Sequence, residues 1–383
     1  MMTSAKAYTG ARIHDGHRLI ADHALLMSKG KGCRIVPVAD IPQDHEPVVL
    51  QGGVIAPGFV DLQVNGGGGV LFNDSPTVDT LRTMAEAHAR LGTAAFLPTL
   101  ITDTPETTRA AIAAVENALV QRVPGIIGVH LEGPHLSVAR KGAHDGALIR
   151  PMTDADMDLL ATAAERLPNL MVTVAPESVT IDQMRRLSDV GVILSLGHTD
   201  ADRDTCHAAF DAGVRCVTHL FNAMSQFGSR EPGLVGATLE RDDVYAGLIA
   251  DGVHVHPSSI RIALAAKPSS ERVFLVTDSM SPAGSGIDRF RLNGRDVSRR
   301  DGRLTLADGT LAGADLDMAT ALRVMTRDVG DTLERALRRA TSTPADLLRD
   351  AAGVGAIGPT TDWVVYLAPD TADGLTMTRL GAD

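Results

Sequence analysis

Apolar runs and segments with helical periodicity alternate through the middle of the chain. Eight runs are hydrophobic along most of their length, which is typical of parallel strands buried on both faces. Thr104, Thr153 and Thr180 each stand where a helix N-cap is expected before the segments that follow. The alternation predicts an α/β fold, a (β/α)8 TIM barrel in preference to an open doubly wound sheet. The predicted strands are Gly58–Gly66, Ala94–Leu100, Gly125–Gly133, Met171–Glu177, Val192–His198, Cys216–Asn222, Tyr245–Gly252 and Arg272–Ser279.

Short strand-like segments punctuated by Gly and Asp occupy both ends of the chain. The first end contains AYTGARIHDG, HALLMSKGKGCRIVPVAD and EPVVLQGG, and the tail contains DWVVYLAPD and GLTMTRL. We therefore predict one discontinuous β-sandwich domain built from residues 1–56 and 351–383. The barrel domain is predicted over residues 57–350.

An insertion is predicted between the eighth strand and the last barrel helices. The segment Ala283–Gly313 contains FRLNGRDV and GRLTLADGTL, two strand-like pieces rich in turn residues. We expect a hairpin near the mouth of the barrel. Helices are predicted after it over Asp315–Val329, Thr332–Ala340 and Pro344–Arg349.

Composition and charge narrow the class of protein. Aromatic residues make up 3% of the chain, so the core must be aliphatic. The net charge of -11 disfavours nucleic acid as a partner, because that binding needs clustered Lys and Arg. No apolar run is long enough to cross a bilayer, and the start MMTSAKAYTGARIHDG lacks the apolar stretch of a secretory signal. The odd number of cysteines, three, indicates a reduced, cytoplasmic protein.

Four apolar runs among the predicted strands end on residues that bind metals or transfer protons. The runs are GIIGVHLE, VILSLGH, RCVTH and RVFLVTD, which end on Glu132, His198, His219 and Asp278. Active sites of (β/α)8 barrels lie at the C-terminal ends of their strands. Imidazole nitrogens and a carboxylate suit Zn, with Fe(II) or Co as competitors. Glu132, His198 and His219 are therefore predicted to hold a divalent metal, with Asp278 as a general base beside it. Taken alone, each histidine reads as an ordinary hydrogen-bonded residue and Asp278 as a helix N-cap.

Three further polar residues on loops are candidates for binding substrate. His144 in KGAHDG and His254 in DGVHVH stand near glycines, which allow close approach of a ligand. Arg230 in GSREPG is read alone as a surface charge, although its guanidinium would also suit a phosphate. His130 and His135, on either side of Glu132, are read as structural.

Taken together, these residues resemble the N-acetylglucosamine-6-phosphate deacetylases of the amidohydrolase superfamily. The resemblance runs nearly end to end. It is carried by PGFVDLQVNG, HLEGPHL, KGAHD, SLGHTDAD, THLFNAM, REPGLVG, IADGVHV, LVTDS, PAG, TLAG and GPTTDWVV. It implies hydrolysis of the acetyl group of N-acetyl-D-glucosamine 6-phosphate by a metal-bound hydroxide. The products would be D-glucosamine 6-phosphate and acetate.

The resemblance also implies roles for individual residues. Asp278 would act as general base and then acid, and His144 would polarise the acetyl carbonyl and stabilise the oxyanion. His254 would contact the sugar of the substrate. The backbone of Asn222 and Ala223 would contact its phosphate. Gly313 of TLAG is a further substrate-binding candidate. Arg230 would reach the phosphate in the neighbouring subunit, so the resemblance implies a homodimer.

The chain departs from the His-x-His pattern that many amidohydrolases carry on strand one. Gln63-Val64-Asn65 stands there, and carboxamides are poor Zn ligands beside imidazole. We therefore expect one metal per chain, with a second metal absent or weak near Gln63 and Asn65 unless it recruits His135. Ser279 and Met280 in TDSMSPAG also depart from the usual pattern and could alter the pocket.

Three alternatives stay open on the sequence. The substrate could be the epimer N-acetylgalactosamine 6-phosphate, since no residue identifies the contact to the differing hydroxyl. The enzyme could instead act on N-acyl amino acids or cyclic imides, which need no phosphate site. A barrel that has lost catalysis would lack a ligand or the base, whereas Glu132, His198, His219 and Asp278 are all present.

Overall fold

A computed structural model describes residues 5–28, 30, 32–369 and 376–381. Eight parallel strands, β1–β8, follow one another around a sheet in chain order. A parallel bridge between Val64 and Ser279 joins the first and last strands, so the barrel is nearly closed. This confirms the predicted fold class. The strands are Phe59–Val64, Thr93–Ile101, Val129–Glu132, Leu170–Val174, Ile193–Leu196, Cys216–Val217, Tyr245–Leu248 and Val273–Leu275.

Helices surround the barrel, and their starts agree with the predicted caps. The hydroxyls of Thr104, Thr153 and Thr180 each accept a hydrogen bond from the third residue of the helix that follows. Such caps satisfy backbone donors that have no partner inside the helix. The barrel helices are Val78–Arg90, Pro105–Val120, Asp154–Arg166, Ile181–Asp189, Arg203–Asp211, Gly233–Glu240 and Pro257–Ala266.

The predicted strands extend too far at several C-terminal ends. β5 ends at Leu196, β6 at Val217 and β8 at Leu275, so His198, His219 and Asp278 lie beyond the strands rather than on them. These three residues have positive φ, at 50°, 30° and 48°, which no extended strand accommodates. Hydrophobicity continues past the point where the backbone turns, which is why the pattern of apolar residues placed these ends too late.

Two sheets built from the chain ends pack face to face. One sheet contains Gly32–Pro37, His23–Ser28, Ala5–Thr9 and His45–Val49. The other contains Met377–Gly381, Trp363–Leu367, Val54–Pro57, Arg12–His14 and Leu19–Ile20. Tyr8, Leu25 and Met27 of the first sheet share a buried cluster with Ile55 and Val364 of the second. The ends therefore form a small strand-rich unit beside the barrel, and the exact domain boundaries stay a prediction. Lys29, Lys31, Asp370, Gly374 and Leu375 of the predicted strands lie outside the described residues.

The insertion after β8 forms a three-stranded antiparallel sheet of Arg289–Leu292, Arg295–Arg300 and Arg303–Thr305. FRLNGRDV alone supplies most of the first two strands, so the segment contains one strand more than the two pieces predicted. Helices follow over Met318–Arg323, Leu333–Ala340 and Ser342–Leu347, and a π-helix over Val324–Val329 extends the first of them. Among the described residues, no helix has the length and apolar character needed to cross a membrane.

Candidate active site and metal centre

Glu132, His198 and His219 come together at the C-terminal end of the barrel. Oε1 of Glu132 lies 3.1 Å from Nε2 of His198 and 3.1 Å from Nε2 of His219. The two Nε2 atoms are also 3.1 Å apart. All three side chains are buried, and within the described residues this is the one group of at least three potential metal ligands.

The donor atoms fit a divalent metal. Nδ1 of His198 lies 2.9 Å from the carbonyl oxygen of Arg140, so it carries the proton, and Nε2 presents its lone pair to the cluster. The lone pair at Nε2 of His198 and the carboxylate oxygen of Glu132, 3.1 Å apart, would repel one another without a cation between them. A tetrahedral zinc ion places its ligand atoms about 3.4 Å apart, close to the separations seen here.

The Glu132 carboxyl is held in its ionised form. Burial alone would raise its pKa, but the hydrogen bonds and positive charge that His198 and His219 supply when protonated outweigh burial and hold the pKa well below its ordinary value. A metal ion acts in the same direction. Glu132 therefore offers a carboxylate, the form that binds metals.

Asp278 faces the cluster and is held by two carboxamides. Nδ2 of Asn65 donates to its Oδ1 at 2.7 Å, and Nε2 of Gln63 donates to the same oxygen at 3.2 Å. Among the residues that the structure describes, none forms a hydrogen bond with Oδ2, which leaves that oxygen open for proton transfer. Burial and the charge of Glu132 raise the pKa of Asp278 to about 6, near the range where a carboxylate exchanges protons in neutral solution.

Gln63 also links Asp278 to the group of Glu132, His198 and His219, which we call the metal-type cluster. Its Nε2 donates to Oε1 of Glu132 at 3.2 Å as well as to Asp278. One amide NH2 thus bridges the two carboxylates where a second cation would otherwise reduce their repulsion. This is consistent with the expectation of a single strong metal site.

His144 presents an N–H group to the cavity. The backbone N–H of Thr102 donates to Nδ1 of His144 at 3.3 Å, and the Thr102 hydroxyl lies 2.8 Å from the same nitrogen. Nδ1 is therefore the acceptor, and Nε2 carries the proton. Burial, followed by the positive charge that His198 carries when protonated, lowers the pKa of His144 to about 3, so the ring is neutral. Nε2 lies 3.9 Å from Oε2 of Glu132, so a carbonyl oxygen beside the cluster could accept a hydrogen bond from this N–H group.

A cavity of about 390 Å³ joins these groups to the predicted substrate-binding residues. Its lining includes Asn222, Ala223, His254 and Gly313. Nδ1 of His254 lies 2.6 Å from Asp251, which orients the ring and leaves Nε2 for a ligand. A side chain on Gly313 would come within 2.4 Å of Met280 and 2.9 Å of the Asp278 carbonyl oxygen, so this position requires glycine.

Two histidines and one arginine that the sequence analysis considered lie outside the metal-type cluster. His130 is buried between the Leu62 carbonyl and the Thr173 hydroxyl, and His135 contacts the carbonyl oxygen of Arg150. Neither joins the cluster, in agreement with the structural role predicted for both. Arg230 is exposed and is absent from the lining of the cavity in a single chain.

Several contributors were missed in the sequence. Asp61 accepts a hydrogen bond from the Thr277 hydroxyl at 2.5 Å and so anchors the segment that carries Asp278. The guanidinium of Arg295, from the insertion, donates to the carbonyl oxygen of Ala143, next to His144. Asp61 was detectable as a buried acid within PGFVDLQVNG. No sequence pattern pointed to Arg295, because its partner Ala143 lies far away in the chain.

Comparison with known proteins gives a consistent result. Residues 54–366 match the model of a family described as the amidohydrolase family. The chain is 43% identical to an N-acetylgalactosamine-6-phosphate deacetylase of Shewanella sp. over 93% of this chain and 90% of that protein. It is 34% identical to an N-acetylglucosamine-6-phosphate deacetylase of Haemophilus influenzae over 87% of each.

A solved structure has the same architecture. The crystal structure of N-acetylglucosamine-6-phosphate deacetylase from Pasteurella multocida superimposes with a TM-score of 0.91. The two are 32% identical, and the match covers 99% of this chain and 98% of that one. The barrel, the insertion and the strand-rich unit therefore have a counterpart of nearly the same extent.

Proposed function

This chain belongs to the amidohydrolase family, and we propose that it removes the acetyl group of N-acetyl-D-glucosamine 6-phosphate. The products are D-glucosamine 6-phosphate and acetate. One observation carries the proposal. A three-residue metal-type cluster, a carboxylate with a raised pKa and a neutral N–H donor converge on one cavity. That combination is what hydrolysis of an unactivated amide needs.

Glu132, His198 and His219 would hold one divalent metal ion. Zn²⁺ is favoured by the two imidazoles and one carboxylate, and Fe²⁺ and Co²⁺ are the alternatives. When bound, such an ion lowers the pKa of a coordinated water and polarises a carbonyl.

Asp278 and His144 perform the proton transfer and the orientation. The N–H at Nε2 of His144 binds the acetyl carbonyl oxygen and stabilises the negative charge that develops there. Asp278 takes a proton through Oδ2 from the water whose oxygen joins the acetyl carbon. As the carbon–nitrogen bond breaks, Asp278 returns that proton to the departing amine.

The phosphate end of the substrate is proposed to bind at Asn222 and Ala223. Phe221 and Ala223 have φ of 80° and 50°, on either side of Asn222. Backbones of this kind can turn successive N–H groups toward one concave surface that binds anions. His254 would contact the sugar. Arg230, exposed and outside the cavity of its own chain, would reach the phosphate in the second subunit of a homodimer.

The N-acetylgalactosamine epimer is a second candidate substrate. A specific observation favours it, because the relative that is 43% identical over 93% of this chain is an N-acetylgalactosamine-6-phosphate deacetylase. The two sugars differ at one hydroxyl. Measurement of kcat/KM for both substrates with one enzyme preparation decides between them.

The reaction is tested by acetate release from N-acetylglucosamine 6-phosphate together with metal analysis of the purified protein. Acetate release with about one metal per chain supports the proposal. Two metals per chain would keep the reaction but contradict the single site. Metal without acetate release would direct attention to other acyl substrates, and absence of both would support the non-catalytic alternative. The cytoplasmic location stays a prediction.

A further inference from the structure

A second cavity, of about 580 Å³, lies at the opposite end of the barrel from the metal-type cluster. It is lined by Thr93 and Ala94, at the start of β2, and by Val123–Gly125 before β3. Ile101, the last residue of β2, lines the candidate active site instead. At about 3.3 Å per residue, the two ends of β2 are roughly 25 Å apart. The second cavity is therefore separate from the proposed catalytic site.

Three arginines meet at this cavity. Arg82 and Arg90 come from the helix Val78–Arg90, and Arg379 comes from the strand Met377–Gly381 of the small unit. The cavity thus lies where the strand-rich unit meets the barrel, a common location for small-molecule sites. Glu86 is the only acidic residue among the described lining residues, so the lining carries net positive charge.

The arginine contacts are with neutral groups. Arg82 donates to the side-chain oxygen of Gln121 at 2.7 Å, and Arg90 has a long contact of 3.5 Å with the carbonyl oxygen of Gly284. Within the described part of the chain, no carboxylate pairs with either of them or with Arg379. Three arginines at one cavity without a carboxylate partner among the described residues are notable in a chain with a net charge of -11, which has carboxylates in excess.

Arg379 is held flat by an aromatic ring. Its guanidinium carbon lies 4.3 Å from the centroid of Trp363. Trp363 is itself packed against the barrel, since a side chain on Gly58 would come within 3.0 Å of the ring. A stacked guanidinium keeps its N–H fork free and loses little conformational freedom on binding an anion.

We propose that this cavity binds a small phosphomonoester with a flat or apolar body, either a sugar phosphate or a nucleoside monophosphate. Guanidinium groups match the oxygen geometry of phosphate through paired N–H donors. The apolar part of the ligand rests on a wall formed by Ala89, Val123 and Pro124 beside Trp363. The volume falls in the range of small-molecule sites.

The bound ligand is held rather than transformed. The N-terminal face of a (β/α)8 barrel contributes to stability, whereas catalysis occurs at the other face. A ligand bridging Arg82 and Arg379 would connect the barrel helix to the strand-rich unit. Because it binds the folded chain, it would raise the thermal unfolding temperature as its concentration exceeds its Kd.

The single tryptophan of the chain provides the measurement, since its fluorescence comes only from Trp363. The full-length protein is titrated with glucose 6-phosphate, adenosine 5′-monophosphate and inorganic phosphate, with glucose and adenosine as uncharged controls. We expect a saturable change with glucose 6-phosphate or adenosine 5′-monophosphate and a rise in Tm with the same ligand. Tighter binding of glucose 6-phosphate would indicate a sugar phosphate as the ligand. Tighter binding of adenosine 5′-monophosphate would indicate a nucleoside monophosphate. Equal binding by inorganic phosphate would overturn the assignment of an organic ligand.

Two variants test the arginines. The double variant Arg82→Gln/Arg90→Gln leaves the contact of Arg379 with Trp363 in place, and we expect it to weaken Kd at least about tenfold, as for loss of a charged hydrogen bond. Arg379→Gln should abolish the rise in Tm. The control is Arg185→Gln on the exposed side of helix Ile181–Asp189, which should bind as the parent does.

The proposal fails if no ligand binds more tightly than about 1 mM, or if the double variant keeps the parent Kd. Acetate release is measured on the same preparations. Because none of these arginines belongs to the proposed catalytic site, all variants should keep the parent rate. Failure of this site is thereby distinguished from failure of the proposed reaction.

Discussion

The Nδ2 atom of Asn65 donates a hydrogen bond of 2.7 Å to Oδ1 of Asp278. This contact occupies one oxygen of the proposed base and turns the other toward the cavity. It also favours the ionised carboxylate, against the burial and the charge of Glu132 that raise its pKa to about 6. Two residues 213 positions apart in the chain thus determine the orientation of the base and the pH at which it titrates.

Asp278→Asn should leave metal content unchanged and reduce kcat by roughly 10²–10⁴-fold, because a carboxamide cannot carry the proton. Steady-state acetate release and metal analysis on the same sample measure both. Asp301→Asn, in an exposed turn of the insertion, is the matched control and should keep the parent kcat. A near-normal kcat in Asp278→Asn would remove Asp278 from the proton transfer.

The value of kcat/KM should fall on the acidic side of its pH profile. Asp278 acts as a base only when ionised, so the active fraction falls as pH drops through its pKa of about 6. A cation at the neighbouring cluster would draw this pKa lower, so we expect the acidic limb at or below pH 6. Asn65→Ala removes a donor that lowers the pKa and should shift the limb upward. An unchanged limb in that variant would contradict the assignment.

His219→Ala should lower metal content and activity together, since one of the three ligand atoms is lost. Elemental analysis after dialysis, combined with acetate release, gives the measurement. His130→Asn is a suitable contrast, because His130 is buried near the cluster but its ring nitrogens contact Leu62, Thr99 and Thr173. If His219→Ala retained full metal content, the ligand assignment would be wrong.

Thr102→Val should lower kcat with little change in KM. The hydroxyl lies 2.8 Å from Nδ1 of His144 and helps to aim the N–H at the substrate carbonyl. Loss of one such contact corresponds to about 0.5–1.5 kcal/mol, or roughly a two- to tenfold decrease in rate. Thr102→Ser keeps the hydroxyl and should restore the rate. Equal kcat in the valine and serine variants would show that this hydroxyl has no part in orienting His144.

Arg230→Ala should raise KM for the phosphorylated substrate by roughly 10–100-fold, as for a lost charged hydrogen bond. The kcat value should change little, because Arg230 lies outside the cavity that holds the reacting groups. Arg109→Ala, on the exposed face of helix Pro105–Val120, serves as control. Equal KM in Arg230→Ala and the parent would exclude Arg230 from the phosphate site, and gel filtration tests the accompanying dimer.

Much of this site could be predicted because residue types alone indicate which side chains can bind a metal or transfer a proton. Glu132 ends an apolar run, and an unpaired carboxylate there is costly to bury, so a cation was expected. His198 and His219 follow consecutive runs, and barrel topology brings such ends together. By contrast, no sequence pattern indicates that Gln63 bridges two carboxylates, because a carboxamide is equally common as a surface residue.

The sequence by itself determined the order of strands and helices, since hydrophobic periodicity and N-caps are local. It also determined which residues could bind metal. Only the tertiary structure decided the 3.1 Å triangle of ligand atoms, the tautomers of His198 and His144, and the meeting of arginines at the opposite face. These depend on backbone torsions and on contacts between residues distant in the chain, which the folded core fixes and no local pattern encodes.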